Sequence, residues 1–118
     1  MKKIYYLSTC DTCKKILKEW EPLLEGVELQ DIKKTALQST DVDIMYELAG
    51  SFEALLNKRA QLYKQRNLKD KKLTETDIRN LLLEHYTFLK RPVLVLENRI
   101  FVGNAKKTVA DAKAALHE

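Results

Sequence analysis

Two cysteines, Cys10 and Cys13, are separated by two residues and are the only cysteines in the 118-residue chain. A thiol attacks other molecules as its thiolate, and the Cys-X-X-Cys spacing lowers the pKa of one thiol and leaves the other able to attack a disulfide formed on it. The segment Cys10-Asp11-Thr12-Cys13 therefore predicts thiol redox chemistry.

Two other uses of the pair are open to consideration. A structural zinc site needs four ligands, but a second cysteine pair is missing and neither His85 nor His117 has a usual ligand spacing to the cysteines. We therefore predict no metal site. The remaining alternative is a pair of inert, partly buried cysteines.

The segments around the pair predict a β-α-β unit. Residues 3–8 form a short apolar run typical of a buried strand, and residues 27–32 alternate as a second strand would. Between them, apolar residues recur at helical spacing: Cys13, Ile16, Leu17, Trp20 and Leu24. The pair then lies where the first strand meets the first helix. There the free N–H groups of the first helical turn would stabilise a Cys10 thiolate, and Cys13 could attack a mixed disulfide on it.

The rest of the chain predicts a helical block followed by two strands and a helix. Thr40 can cap a helix ending at Gly50, Ser51 a second helix running to about Tyr63, and Thr74 a third, in which it forms a capping box with Asp77. Residues 93–96 and 100–102 then flank a hairpin-sized loop, and a last helix follows. We predict one α/β domain over residues 1–118, a thioredoxin-like fold with a mixed four-stranded sheet and a helical insertion at about residues 39–88.

Arg91 and Pro92 precede the third predicted strand. Alone, Pro92 would be interpreted as a helix terminator. Combined with a Cys-X-X-Cys pair after the first strand, it predicts a cis-proline that faces the cysteines. Arg91 would then lie beside Cys10, where its guanidinium suits bidentate binding of an oxyanion.

Three segments together resemble the arsenate reductase (ArsC)/Spx family of thioredoxin-like proteins. They are residues 5–15 (YYLSTCDTCKK), the segment 52–59 (FEALLNKR) and residues 89–95 (LKRPVLV), and the resemblance covers nearly the whole chain. It implies a thioredoxin fold with a helical insertion between the second and third strands.

The resemblance also implies roles for particular residues. Cys10 matches the nucleophilic cysteine of the family, and Arg91 and Arg59 match arginines that assist this cysteine or its bound oxyanion. The implied protein is a reductase in which the Cys10 thiolate attacks arsenate or a mixed disulfide. Cys13 or glutathione then resolves the intermediate, and glutaredoxin or thioredoxin restores the thiols. No metal or tightly bound organic cofactor is implied.

The chain departs from the well-studied arsenate reductases of this family in two ways. Those enzymes have one active-site cysteine, whereas the Cys-X-X-Cys pair is shared with Spx regulators. No third anion-binding arginine can be placed near the end of the last strand, where Asn104 and Lys106 lie. The alternative function is therefore a Spx-like redox-sensing regulator that binds the RNA polymerase α subunit. Gly50 lies about where that group has a polymerase-contacting glycine, although it also suits a helix C-cap.

Composition sets the remaining expectations. With 21 basic and 17 acidic residues the formal charge is +4, and no nucleic-acid-binding motif is visible, so direct nucleic-acid binding is not predicted. No secretory signal or membrane span is visible, and two cysteines are too few for a secreted disulfide framework. We expect a cytoplasmic protein in a reducing compartment.

Overall fold

The computed structural model describes residues 1–118 and has four strands and five α-helices. The strands are β1 (Lys2–Tyr6), β2 (Glu28–Asp31), β3 (Val93–Leu96) and β4 (Arg99–Val102). The helices are α1 (Asp11–Trp20), α2 (Ser39–Ala49), α3 (Gln61–Gln65), α4 (Glu75–Glu84) and α5 (Lys106–Leu116). Short 3-10 helices occupy Glu21–Leu23, Glu53–Leu55, Leu68–Asp70 and Tyr86–Phe88.

The strands form one mixed sheet in the order β2-β1-β3-β4. β1 runs parallel to β2 and antiparallel to β3, and β3 pairs with β4 as a hairpin. This β-α-β unit followed by β-β-α confirms the predicted thioredoxin-like fold. The chain divides into two compact units, one of residues 1–35 and 91–118, the other of residues 36–90, and the predicted insertion falls within the second.

In the first unit, α1 and α5 pack on the same side of β1 and β3. The shared core consists of Ile4, Ile16, Trp20, Leu94, Leu96, Ala112 and Ala115. The helical spacing of the apolar residues in α1 explains this packing, because they form one continuous stripe that can be buried against the sheet. Pro22 ends α1 as expected, in a short 3-10 turn that begins at Glu21.

The second unit departs from the prediction at residues 52–63, where we expected one helix. Ser51 does accept the Ala54 N–H, at 3.1 Å, but only a 3-10 turn follows. Leu56 is extended and pairs with Leu89. The helical prediction was wrong because Asn57 turns the backbone locally, its side-chain Oδ1 accepting the Arg59 N–H at 3.1 Å.

The helix caps show one further difference. α2 begins at Ser39 with a capping box between Gln38 and Asp41, so the prediction that Thr40 caps it was wrong. Gln38 is the N-cap because its backbone N–H donates to the Asp41 carboxylate at 2.8 Å. The capping box predicted for α4 is present, with Thr74 Oγ1 accepting the Asp77 N–H at 3.1 Å.

Candidate functional site

Cys10 is the residue that immediately precedes α1. Its backbone is extended, with φ −97° and ψ 113°, while its carbonyl already accepts the Lys14 N–H at 3.1 Å. Cys10 is partly exposed and Cys13, one helical turn further on, is completely buried; neither is in a disulfide. A partly exposed thiol at a helix N-terminus can meet a substrate in solution, whereas a completely buried thiol cannot.

The surroundings of the two thiols shift their pKa values in opposite directions. Burial raises the pKa of Cys10, but hydrogen bonding from Cys13 and the positive charge of Arg91 outweigh it, so the net pKa is lowered. Burial is also the largest influence on Cys13, and the adjacent Cys10 adds to it, raising the pKa of Cys13 to about 12. The structure therefore favours ionisation of the Cys10 thiol and keeps the Cys13 thiol protonated.

Arg91 and Pro92 belong to the same compact unit as the cysteines. The Arg91–Pro92 peptide bond is cis, and Pro92 is buried directly before β3. Arg91 is half-buried; its charge and its side-chain hydrogen bonding lower the pKa of Cys10, and its charge opposes the rise in the pKa of Cys13. A fixed cation beside the thiolate can also hold a negatively charged substrate group.

The loop between β1 and α1 is fixed by a residue that the sequence did not single out. Asp31, the last residue of β2, accepts the Ser8 N–H through Oδ1 at 3.2 Å. The only signal in the sequence is an acidic residue at the end of an alternating strand, which by itself is also typical of a turn.

Arg59 lies in the second unit and is exposed. The loop that carries it is held by Asn57, whose backbone N–H donates to the Phe88 carbonyl at 2.7 Å and whose Nδ2 donates to the Thr87 carbonyl at 3.3 Å. With the bond from Arg59 N–H to Asn57 Oδ1, these contacts give Asn57 a structural role in the loop.

Gly50 and His85 have local structural explanations. Gly50 caps the C-terminus of α2 with φ +91°, a conformation that favours glycine whatever a partner might need. His85 accepts the Thr87 N–H through Nδ1 at 3.0 Å. No group of three or more His, Cys, Asp or Glu side chains is placed to hold a metal ion. None of the helices combines the length and apolarity needed to cross a membrane.

Solved structures with the same fold include three proteins connected by name with arsenate reduction. A possible arsenate reductase from Streptococcus mutans UA159 is 28% identical with a TM-score of 0.76, covering 95% of this chain and 97% of its own. An arsenate reductase (ArsC) related protein from Brucella melitensis is 26% identical with a TM-score of 0.70, covering 96% and 92%. Arsenate reductase from Vibrio cholerae is 21% identical with a TM-score of 0.77, covering 93% and 95%. Among curated proteins, none is significantly similar to this chain in sequence.

The fold and the cysteine pair together define a thioredoxin-like protein with a Cys-X-X-Cys centre at the start of its first helix. The family model of the ArsC family matches residues 5–112. The chain belongs to the ArsC family, which confirms the resemblance identified from its sequence.

Proposed function

We propose that this protein is a thiol-dependent reductase of the arsenate reductase type. The observation that carries the proposal is the opposite tuning of two neighbouring thiols: Cys10 has a lowered pKa beside Arg91, and Cys13 is buried with a raised one. Inert cysteines would not need a cation beside one of them. Membership of a family of thiol-dependent reductases supports the same activity.

The first step is nucleophilic attack by the Cys10 thiolate. With arsenate, an S–As bond forms and an As–O bond breaks, the oxygen leaving as water after protonation. With a mixed disulfide, an S–S bond to Cys10 forms as the S–S bond of the substrate breaks, and the leaving thiolate takes up a proton. Arg91 holds the negative charge of the bound group, and family resemblance assigns Arg59 the same task.

The second step is attack on the Cys10 sulfur by another thiol, either Cys13 or glutathione. With arsenate, the electron pair of the S–As bond passes to arsenic, and arsenite leaves as a disulfide forms at Cys10. Once Cys10 carries an adduct its negative charge is gone, and that charge is one of the influences raising the pKa of Cys13. Adduct formation thus helps Cys13 to lose its proton when it is needed. Glutaredoxin or thioredoxin then supplies two electrons to restore the thiols.

This scheme needs no metal or tightly bound organic cofactor, and glutathione enters as a co-substrate. It suits a reducing cytoplasm, where the disulfide formed in each cycle can be reduced again. Because the sequence has no arginine near the end of the last strand to match the third anion-binding arginine of the family, a mixed disulfide is as good a substrate candidate as arsenate.

The test is a coupled assay with arsenate or a glutathionylated peptide, in the presence of glutathione and glutaredoxin. The wild-type protein should turn over at least one of the two substrates. Cys10→Ser should be inactive with both substrates. Cys13→Ser should keep some activity, because glutathione can resolve the intermediate on Cys10 in place of Cys13. A Cys10→Ser variant as active as the wild type would refute the proposal.

The second candidate function is a Spx-like regulator, and the Cys-X-X-Cys pair is the feature that favours it. Such a protein would use the Cys10–Cys13 disulfide as a switch and bind the C-terminal domain of the RNA polymerase α subunit. A pull-down with that domain in both redox states separates the two functions. Binding in one state without turnover of either substrate would favour the regulator.

A further inference from the structure

Asp31 is the one charged residue of the chain that is buried, with 9% of its surface exposed. Removing a carboxylate from water costs free energy unless hydrogen bonds compensate for it. The reductase scheme above gives Asp31 no task. Its burial therefore calls for a different explanation, and its contacts supply one.

The Asp31 carboxylate connects the end of β2 to the loop that follows β1. Its Oδ1 accepts the Lys33 N–H at 3.1 Å, which closes the turn after β2, and the Ser8 N–H at 3.2 Å. Next to Asp31, the Ile32 N–H donates to the Tyr6 carbonyl at 2.9 Å, so β1 and the end of β2 stay paired up to the last residue of β1. Only the Ser8 contacts reach into the loop that leads to Cys10, since both the backbone N–H and the side chain of Ser8 hydrogen-bond the carboxylate.

The Ser8 N–H belongs to the same planar peptide group as the Leu7 carbonyl. That carbonyl accepts the Cys10 N–H at 3.0 Å. Asp31 therefore holds one side of the Leu7–Ser8 peptide plane, and the amide of Cys10 is bonded to the other side. Rotating this plane would break both bonds. The orientation of the nucleophile's backbone is thus coupled directly to Asp31.

The same segment also reaches the second thiol. The Leu7 backbone hydrogen-bonds the Cys13 sulfur and opposes the rise in the pKa of that thiol. A loop that is anchored at Ser8 consequently fixes the surroundings of both cysteines.

We propose that Asp31 is a positioning residue for Cys10. By fixing the Leu7–Ser8 peptide plane, its carboxylate holds Cys10 at the N-terminus of α1, within reach of the Cys13 backbone and Arg91. It acts as a hydrogen-bond acceptor and exchanges no proton with the substrate. The inference rests on the proposed function only in taking Cys10 as the nucleophile.

The ionisation state of Asp31 agrees with this role. Burial raises the pKa of the carboxyl, but hydrogen bonds from Ser8 and Lys33 and the charge of Lys34 outweigh it, so the pKa is lowered. Asp31 is therefore a carboxylate at neutral pH and can accept both backbone N–H groups at once.

The experiment compares Asp31→Ala with Asp31→Asn, which keeps an Oδ1 acceptor of the same size and removes the charge. The Cys10 pKa is read from the pH dependence of alkylation by iodoacetamide, a reaction that Cys13 does not obscure because its pKa is about 12. We expect Asp31→Ala to raise the Cys10 pKa by about one unit, making alkylation about tenfold slower below that pKa. Asp31→Asn should stay within about twofold of the wild type, since it retains the acceptor.

A merely structural role would lower the thermal midpoint of Asp31→Ala and leave the Cys10 pKa of the folded protein where it was. That result would overturn the proposal, and so would an equal effect of Asn and Ala. If Asp31→Ala does not fold, Asp31→Ser is judged by the same criterion, because its hydroxyl is too short to reach Ser8.

Alkylation requires neither arsenate nor glutathione, so this test is independent of the reductase assay. A failed assay with the expected alkylation pattern counts against the proposed function alone. An active wild-type enzyme with an unchanged Cys10 pKa in Asp31→Ala counts against the role of Asp31 alone.

Discussion

Two loops carry residues of the proposed chemistry, residues 7–10 in the first unit and residues 57–60 in the second. In each, a side-chain oxygen accepts a backbone N–H: Asp31 holds Ser8, and Asn57 holds Arg59. The surroundings differ. The first loop leads to a partly exposed thiol above a buried one, and the second presents an exposed guanidinium.

This difference follows from the chemistry of the two groups. A thiol is a nucleophile only when ionised, so its loop must provide surroundings that favour the thiolate. A guanidinium is charged at every relevant pH, so its loop needs only to hold it in place. Accordingly, the first loop should control reactivity, and the second should control only the binding of an anion.

The sharpest test of the comparison is the reactivity of the two thiols at pH 7. A thiol with a pKa of about 12 is ionised only to about 1 part in 100,000 at this pH, and a Cys10 pKa below 9.0 gives at least about 1 part in 100. Cys10→Ser should therefore slow labelling by iodoacetamide about 100-fold or more, short of the full ratio because part of the raised pKa of Cys13 comes from Cys10 itself. Cys13→Ser is the matched control and should label rapidly, and equal labelling of the two variants would refute the assignment.

The buried thiol should also give the first unit its own pH dependence of stability. The folded-state pKa of Cys13, about 12, lies above the ordinary value of 9.0, so the folded protein keeps a proton that the unfolded chain loses. This contribution is present below pH 9 and is lost between pH 9 and 12, by at most about 1.4 kcal/mol for each pH unit.

The measurement is the free energy of unfolding by urea between pH 8 and 10.5, for the wild type and Cys13→Ala. The variant should be less stable at pH 8, because it has lost packing, and should lose less stability as the pH rises. Other groups titrate in this range, so the difference between the two proteins is the quantity to follow. Parallel curves would show that Cys13 is not buried as a protonated thiol.

Arg91 is predicted to act on reactivity as well as binding. Arg91→Ala removes a charge that lowers the pKa of Cys10, so the thiolate will be lost at a higher pH as the solution is acidified. At pH 6 to 7 we expect alkylation to slow by about three- to tenfold. Arg91→Lys keeps the charge, and its alkylation rate should lie between those of Arg91→Ala and the wild type. No shift of the pH profile in Arg91→Ala would contradict the contact with Cys10.

Substitution of Asn57 should affect substrate binding and leave the reactivity of Cys10 unchanged, and its effect on the assay should be the smallest of those predicted. Asn57→Ala removes the bonds to Arg59 and Thr87 and should cost about 1–2 kcal/mol of stability. In the reductase assay it should raise KM several-fold by loosening the loop of Arg59, while alkylation of Cys10 stays unchanged. Asn57→Asp keeps an Oδ1 acceptor for the Arg59 N–H and should therefore show a lower KM than Asn57→Ala. A shifted pH profile of Cys10 alkylation in Asn57→Ala would contradict the prediction that the loop of Arg59 affects only the binding of an anion.

The fold was predictable where the signal is local and repeated. The stripe from Cys13 to Trp20 predicted α1, because it buries one face of the helix against the sheet. The alternation of residues 27–32 predicted β2, which pairs with β1 although Leu29 stays exposed. The helix predicted over residues 52–63 was wrong because the backbone there depends on particular contacts and not on a repeated pattern. The apolar spacing of these residues suits a helix, but Asn57 turns the backbone locally by accepting the Arg59 N–H, and Leu56 pairs with Leu89, a partner far along the chain.

The sequence by itself determined that two thiols lie one turn apart at a strand–helix junction, because four consecutive residues fix that spacing. It also indicated, through family resemblance, which thiol attacks. Only the tertiary structure decided how far the thiols differ in pKa and what holds their loop, since Asp31 comes to the loop from the end of β2 and Arg91 acts on Cys10 from the segment before β3. Charge and hydrogen bonding act through space over a few ångströms, and the spacing of residues along the chain does not record those distances.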